Sequence, residues 1–169
     1  IAPKGVYRNW MDTEIPKHMP EHIVYRMALW NPTPKKAERE ALDRLFEISE
    51  DLKILVMNIE ALSTDKGVKF ASRYLLAHEA FMAIDESTTI KTHTAARAKN
   101  SVKIGKQAKY KRIMTGSPVT KNPLDLFQQC VFLDPRCLGH DSLYTFQARY
   151  AVMQERHLAT HTFKQVLGF

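Results

Sequence analysis

Cysteine is scarce: Cys130 and Cys137 are the only two in 169 residues. So few exclude a disulfide scaffold and fit a reducing intracellular setting, a bacterial cytoplasm or a eukaryotic nucleus. Long apolar runs are missing too. No window approaches the roughly 20 apolar residues of a membrane span, so no membrane partner is expected. No charged-then-apolar leader opens the chain, and residue 1 is Ile rather than Met; the chain reads as a piece of something longer. Repeats and low-complexity segments are absent. Acids are absent from Lys91 to Arg112, where Lys91, Arg97, Lys99, Lys103, Lys106, Lys109, Lys111 and Arg112 all fall.

What is present is one domain's worth of chain with a full core. Twenty-five Lys and Arg against eighteen Asp and Glu give a net charge of +7, which favours a polyanionic partner. The basic stretch is either a nucleic-acid contact or a solvated helix face. Strand-length apolar runs alternate with helix-period stretches. Ile23 to Trp30, Leu52 to Met57, Phe81 to Ile84 and Arg112 to Met114 read as strands. Leu52 to Met57 is continuous, as in a parallel strand buried on both faces. Lys35 to Ser49 reads as a helix with Ala41, Leu42, Leu45, Phe46 and Ile48 inward. Gly67 to Glu79 reads as another, with Val68, Phe70, Tyr74, Leu75 and Leu76 inward. Thr92 to Ser101, Pro123 to Phe132 and Ser142 to Leu167 also read as helical, the last as two pieces. The alternation predicts α/β with a mostly parallel sheet, whose ligands bind beyond the carboxyl ends of the strands.

Asp85 and Glu86 stand at such an end, after Ala80-Phe81-Met82-Ala83-Ile84. Adjacent carboxylates at the tip of a buried strand are costly unless they hold a cation or activate a water. In nucleotide hydrolysis the first acid holds magnesium and the second orients or deprotonates the attacking water. The alternative is an acidic cap at a helix N-terminus. Further on, Arg112-Ile113-Met114 runs into Thr115-Gly116-Ser117-Pro118. The two motifs in this order are more specific than either alone.

These residues resemble a family. Ile1-Ala2-Pro3-Lys4 with Asn9-Trp10 and Glu14 looks like motif Ia of the Swi/Snf-type branch of superfamily-two helicases, relatives of the DEAD/DEAH-box proteins. Leu55-Val56-Met57-Asn58-Ile59-Glu60-Ala61-Leu62 resembles motif Ib. Asp85-Glu86-Ser87-Thr88-Thr89-Ile90-Lys91 is similar to motif II. Thr115 to Pro118, Asn122, Asp125-Leu126-Phe127 and Phe132-Leu133-Asp134-Pro135 resemble motif III and its following helix. The resemblance implies a three-layer RecA-like P-loop NTPase lobe: residues 1–140 form a partial lobe and 141–169 a helical extension toward a second RecA-like lobe. It implies ATP and Mg2+ as cofactors, Asp85 as the metal-side carboxylate acting through water, and Glu86 as catalytic base. Ser87, Thr88, Thr115, Gly116 and Ser117 would couple nucleotide state to movement. Lys4, Asn9, Asn58 and Lys91 would approach the phosphate backbone of DNA, probably duplex. The compact motif spacing points to a phage or bacterial member.

The chain departs from the pattern at three places. Thr88 stands where this branch usually has His. Thr120-Lys121 replaces Gln-Asn. No G-x-x-x-x-G-K-[S/T] loop occurs; it would precede Ile1, and the arginine fingers of the second lobe would follow Phe169. The chain alone is therefore expected to hydrolyse ATP negligibly, since phosphoryl transfer needs lysine, magnesium and arginine together. A sheet lacking the phosphate-loop strand leaves a gap or an open edge, so self-association is expected. Two rivals remain: a non-catalytic basic nucleic-acid-binding module, and an RNA-directed relative. Cys137-x-x-His140 and His157-x-x-x-His161 have zinc-compatible spacings, or are ordinary surface residues. Trp10 and Trp30 read as core or groove-lining rather than base-stacking, and the seven methionines as core filler.

Overall fold

The structure, a computed structural model, describes residues 1–140, 142–157, 160 and 162–169. The chain opens with a helical run made of α1 (Tyr7–Asn9), a π-helical turn at Trp10–Glu14 and α2 (Ile15–His18). Four strands follow, β1 (Tyr25–Leu29), β2 (Leu52–Val56), β3 (Phe81–Asp85) and β4 (Tyr110–Met114). Helices α3 (Lys36–Arg44), α4 (Asp65–Ala77) and α5 (Ala96–Gly105) connect them in turn. β1 pairs in parallel with β2, and β3 with β4. Parallel neighbours need a crossover, and the intervening helices provide it. The α/β architecture read from the sequence is the one observed.

The period of two decides which strand residues enter the core. Met82 and Ile84 of β3 are buried, whereas Phe81 is exposed. They join Ala71 and Leu75 of α4, Ala98 and Ile104 of α5 and Phe132 of α6 (Asp125–Leu133) in one cluster. Helix α4 starts at Thr64, whose hydroxyl accepts from the Gly67 N–H at 3.1 Å. That position needs glycine, because a Cβ would lie 2.2 Å from the Ala61 carbonyl oxygen.

Three expectations are corrected. Ile48 is fully exposed, because α3 ends at Arg44 before reaching it. Leu76 is exposed, because the buried stripe of α4 runs through Gly67, Ala71, Tyr74 and Leu75 and leaves residue 76 outside it. The helical extension over 141–169 is helical only in α7 (Leu143–Tyr150). Beyond it β5 (Val152–His157) and β6 (Thr162–Gly168) pair antiparallel. The residues do not alternate cleanly, and the pairing of Met153 to His157 with Thr162 to Val166 across the two strands wins over the helical spacing.

The two parallel pairs are joined at one point. Ile1 N donates to the Ala83 carbonyl at 2.9 Å, and Asp85 N donates to the Ile1 carbonyl at 2.8 Å. Ala2 N donates to Met57 O at 3.0 Å, and Ile59 N to Ala2 O at 2.9 Å. These two residues thus bond like a central parallel strand, with β2 on one side and β3 on the other. Behind Ile1 the position between β2 and β3 continues as a cavity of about 1080 Å³. The helical run at Tyr7–His18 forms a thin layer over it, with Trp10 and Ile15 in its wall.

Candidate functional site

Parallel register builds the site. Asp85 pairs with Met114, so the next residues, Glu86 and Thr115, leave the sheet side by side. Thr115 Oγ1 donates to Glu86 Oε2 at 3.3 Å. Glu86 has φ 47° and ψ 59°, and it is the only non-glycine residue with positive φ among the described residues. Left-handed backbone costs a Cβ-bearing residue about 1–2 kcal/mol, and such strain concentrates at functional sites. The kink turns the chain out of β3 into a 3-10 turn, Ser87–Ile90. It leaves Glu86 exposed and drives Ser87 inside.

Asp85 looks the other way, toward the cavity. Its Oδ2 accepts from the Trp10 indole N–H at 2.7 Å, and its Oδ1 from the Glu86 backbone N–H at 2.9 Å. No salt bridge among the described residues involves either acid. Trp10 therefore lines the groove and holds a carboxylate, while Trp30 is core.

Beneath the acids lies a buried polar relay. Ser87 Oγ donates to Gln129 Oε1 at 2.6 Å. Gln129 Nε2 donates to the Pro118 carbonyl at 2.8 Å and the Asp125 carbonyl at 2.7 Å. Ser87 and Gln129 have no solvent exposure, so this one amide ties the turn after β3 to the loop after β4. The Thr115 hydroxyl also accepts from Ser117 N at 3.2 Å, which folds that loop back on itself. Gly116 is exposed there. Thr88 is half-buried in the 3-10 turn.

Asp125 anchors the same loop. Its Oδ2 accepts from Thr120 N at 3.0 Å, Thr120 Oγ1 at 2.7 Å and Lys121 N at 2.9 Å. Lys91 Nζ completes the group at 3.2 Å from Asp125 and also bonds the Thr120 hydroxyl. Burial pushes this carboxyl up, but the bonds from Thr120, Lys121 and Lys91 outweigh it and hold it well below the usual carboxylate range. Lys91, expected near nucleic acid, here places its ammonium on Asp125.

The other sequence-derived contacts lie near the carboxyl ends of the strands. Lys4 is exposed two residues beyond Ala2, which bridges to Asn58. Asn58 Oδ1 accepts from Ala61 N at 2.8 Å and caps the following 3-10 turn. Asn9 Nδ2 donates to Glu14 on its own helical run. No group of three or more metal-ligating side chains exists among the described residues. His140 packs edge-on against Phe146 and Tyr150, His157 bonds Thr162, and His161 lies outside the described residues.

Gln129 and Asp125 escaped the sequence reading as site residues. Their signal is a spacing of four, which puts two polar side chains on one face of α6. Gln129→Leu strands the Ser87 hydroxyl and should cost about 2 kcal/mol in urea unfolding. The double variant Ser87→Ala, Gln129→Leu removes donor and acceptor together and should recover about half of that. Simple additivity would disprove the coupling. Asp125 titrates lower in the folded chain than in the unfolded one, so its contribution is complete above about pH 4 and lost below. Asp125→Asn should therefore flatten the acid limb of a stability–pH curve, and an unaltered limb would contradict the geometry.

A profile of the SNF2-related domain matches residues 1–167. Among solved structures, the chain is similar to the Sulfolobus solfataricus SWI2/SNF2 ATPase core in complex with dsDNA. The TM-score is 0.57 and the identity 22%, over 88% of this chain and 26% of that one, so it spans about a quarter of that protein's length. At this identity the likeness shows the fold. No curated protein matches significantly. With the profile running through every strand and both paired strand ends, the chain belongs to the SNF2-related domain family.

Proposed function

We propose that the chain is part of the first RecA-like lobe of an ATP-dependent DNA translocase or helicase. The observation that carries the reading is the meeting of Glu86 and Thr115 at 3.3 Å beyond the paired ends of β3 and β4. Asp85 and Glu86 are oxygen donors in no salt bridge among the described residues, the donor set that magnesium takes. Bound ATP and magnesium would supply the phosphoryl group and the cation that neutralises its charge. Asp85, steadied by Trp10, would hold that cation through water. Glu86 would accept the proton of the attacking water. Thr115, Gly116 and Ser117, tied through Gln129 to Ser87, would carry the state of the acids into the loop after β4. Lys4, Asn9 and Asn58 would grip the phosphate backbone of duplex DNA, which gives hold without sequence preference. A second lobe would supply the arginine that this chain lacks.

One observation favours the rival basic module. Lys99, Lys103 and Lys106 are all exposed, and their spacing sets them on one face of α5 and its end. The rest of the basic stretch is largely engaged. Lys109 pairs with Glu79, Arg97 bonds the Thr89 carbonyl, and Lys111 and Arg112 lie over Phe132 and Phe81.

Titration of a labelled duplex at rising salt separates the readings. On the motor reading, Lys4→Ala should weaken binding about threefold or more, and the triple alanine variant at Lys99, Lys103 and Lys106 should change it little. The reverse ranking, with binding indifferent to ATP and magnesium, would favour the rival. Phosphate release by this chain should stay at background, and DNA-stimulated turnover would contradict the need for the missing cationic groups.

A further inference from the structure

We propose that Cys130 and Cys137 form a modification site, which a peroxide oxidises to a disulfide that clamps the end of α6. The inference rests on the local geometry of these residues and not on the motor reading.

Asp134 brings the two cysteines together. Helix α6 ends at Leu133, and the Asp134 N–H donates to the Cys130 carbonyl at 2.9 Å. The Asp134 carbonyl in turn accepts from the Cys137 N–H at 2.9 Å. One residue thus bonds the backbone of both. The Asp134 side chain fixes the turn between them, since its Oδ1 accepts from the Arg136 N–H at 2.8 Å. A second turn overlaps the first, with Gly139 N donating to the Arg136 carbonyl at 3.0 Å. The chain folds back on the last turn of α6, and the two thiols meet and share a hydrogen bond. Sulfurs that share a hydrogen bond need only a small movement to reach the roughly 2 Å of a disulfide. No third cysteine exists in the chain to compete.

The two thiols are unequal, which gives each a role. Cys137 is exposed and Cys130 half-buried. Burial pushes the Cys130 thiol up, and the neighbouring Cys137 pushes it further. Cys130 therefore stays protonated, and Cys137 meets the oxidant. Oxidation selects an accessible thiolate with a second thiol poised to resolve the product. The Cys137 thiolate attacks one oxygen of hydrogen peroxide. An S–O bond forms as the O–O bond breaks, and the leaving hydroxide takes up the proton of the thiol as water. The Cys130 sulfur then attacks Cys137 Sγ. The S–S bond forms, the S–O bond breaks, and hydroxide leaves with the Cys130 proton as a second water. Two thiols and one peroxide give one disulfide and two waters. A dithiol reductant reverses the change.

The site adjoins the buried relay. Cys130 follows Gln129, whose amide holds Ser87 and the Pro118 carbonyl. The link closes a loop of eight residues, 130 to 137, on the helix that carries Gln129 and Asp125. Closing a loop removes entropy from the unfolded chain, so the oxidised form is the more stable one.

The test treats the purified chain with a slight molar excess of hydrogen peroxide and digests it with trypsin without reduction. Trypsin cuts after Arg136, between the cysteines, so closure joins peptides 122–136 and 137–149. We expect that linked pair from monomer, a mass lower by about 2 Da for the two hydrogens lost, and reversal by dithiothreitol. The oxidised monomer should melt about 3 °C or more above the reduced one. Cys137→Ser should slow oxidation of the remaining thiol by about tenfold or more. Cys130→Ser should leave Cys137 as a sulfenic acid that dimedone captures. Overoxidation of Cys137, or links only between chains, in the unsubstituted protein would overturn the proposal. So would a linked monomer that melts no higher than the reduced one, or equal reactivity of the two single variants.

Discussion

The parallel pairing of β3 with β4 is the constraint on which the rest of the site depends. Sequence separates Glu86 from Thr115 by 29 positions, and only register brings them together. A slip of one residue would send Ile84 and Met82 to the exposed face and bury Phe81 and Ala83 instead. The core sets the register, since Met82 and Ile84 have no comparable alternative on that face. Hydrophobic burial, which has no directional preference of its own, thereby places two polar groups within hydrogen-bonding reach.

Burial of polar groups then makes the placement specific. Two apolar side chains at 87 and 129 would fill similar space without fixing the loop. A hydroxyl and an amide fix it, because each unpaired buried partner costs about 1–3 kcal/mol. Gln129 has one acceptor oxygen and two amide protons, and the structure uses the oxygen for Ser87 and the nitrogen for two carbonyls. Asp125 repeats the logic with charge. Its carboxylate collects the backbone of Thr120 and Lys121 together with Lys91, which converts the departure from the family pattern at 120–121 into a closed loop. The two anchors lie one helical turn apart on α6 and hold neighbouring parts of the same loop, Pro118 and Thr120-Lys121.

The sequence made legible what depends on short apolar runs. The four strands and the order of helices follow from such runs, and so do the paired acids at a strand end. It missed what depends on partners distant in the chain. Lys91 reads as one member of a basic run until Asp125 is seen beside it. Gln129 reads as a polar interruption in α6 until Ser87 is seen beneath it. The region 152–168 reads as helical by spacing, and only the pairing between β5 and β6 shows it to be two strands. Leu76 and Ile48 mark the limit of periodicity, since a helix that ends four residues early or turns slightly exposes an apolar side chain without disturbing the core.

Asp85 joins the site to the centre of the sheet. Its backbone N–H holds Ile1, and its carboxylate holds Trp10 from the helical run that follows. Glu86 cannot move without altering that carboxylate, because its own N–H is the second donor to Asp85. Ile1 therefore bears on the acids through three consecutive bonds, Ala83 to Ile1, Ile1 to Asp85 and Asp85 to Glu86. Between that bonded sheet and the turn at Ser87–Ile90 stands Glu86 with its left-handed backbone. Strain at a single residue between two fixed elements is how a sheet can remain still while its edge changes state.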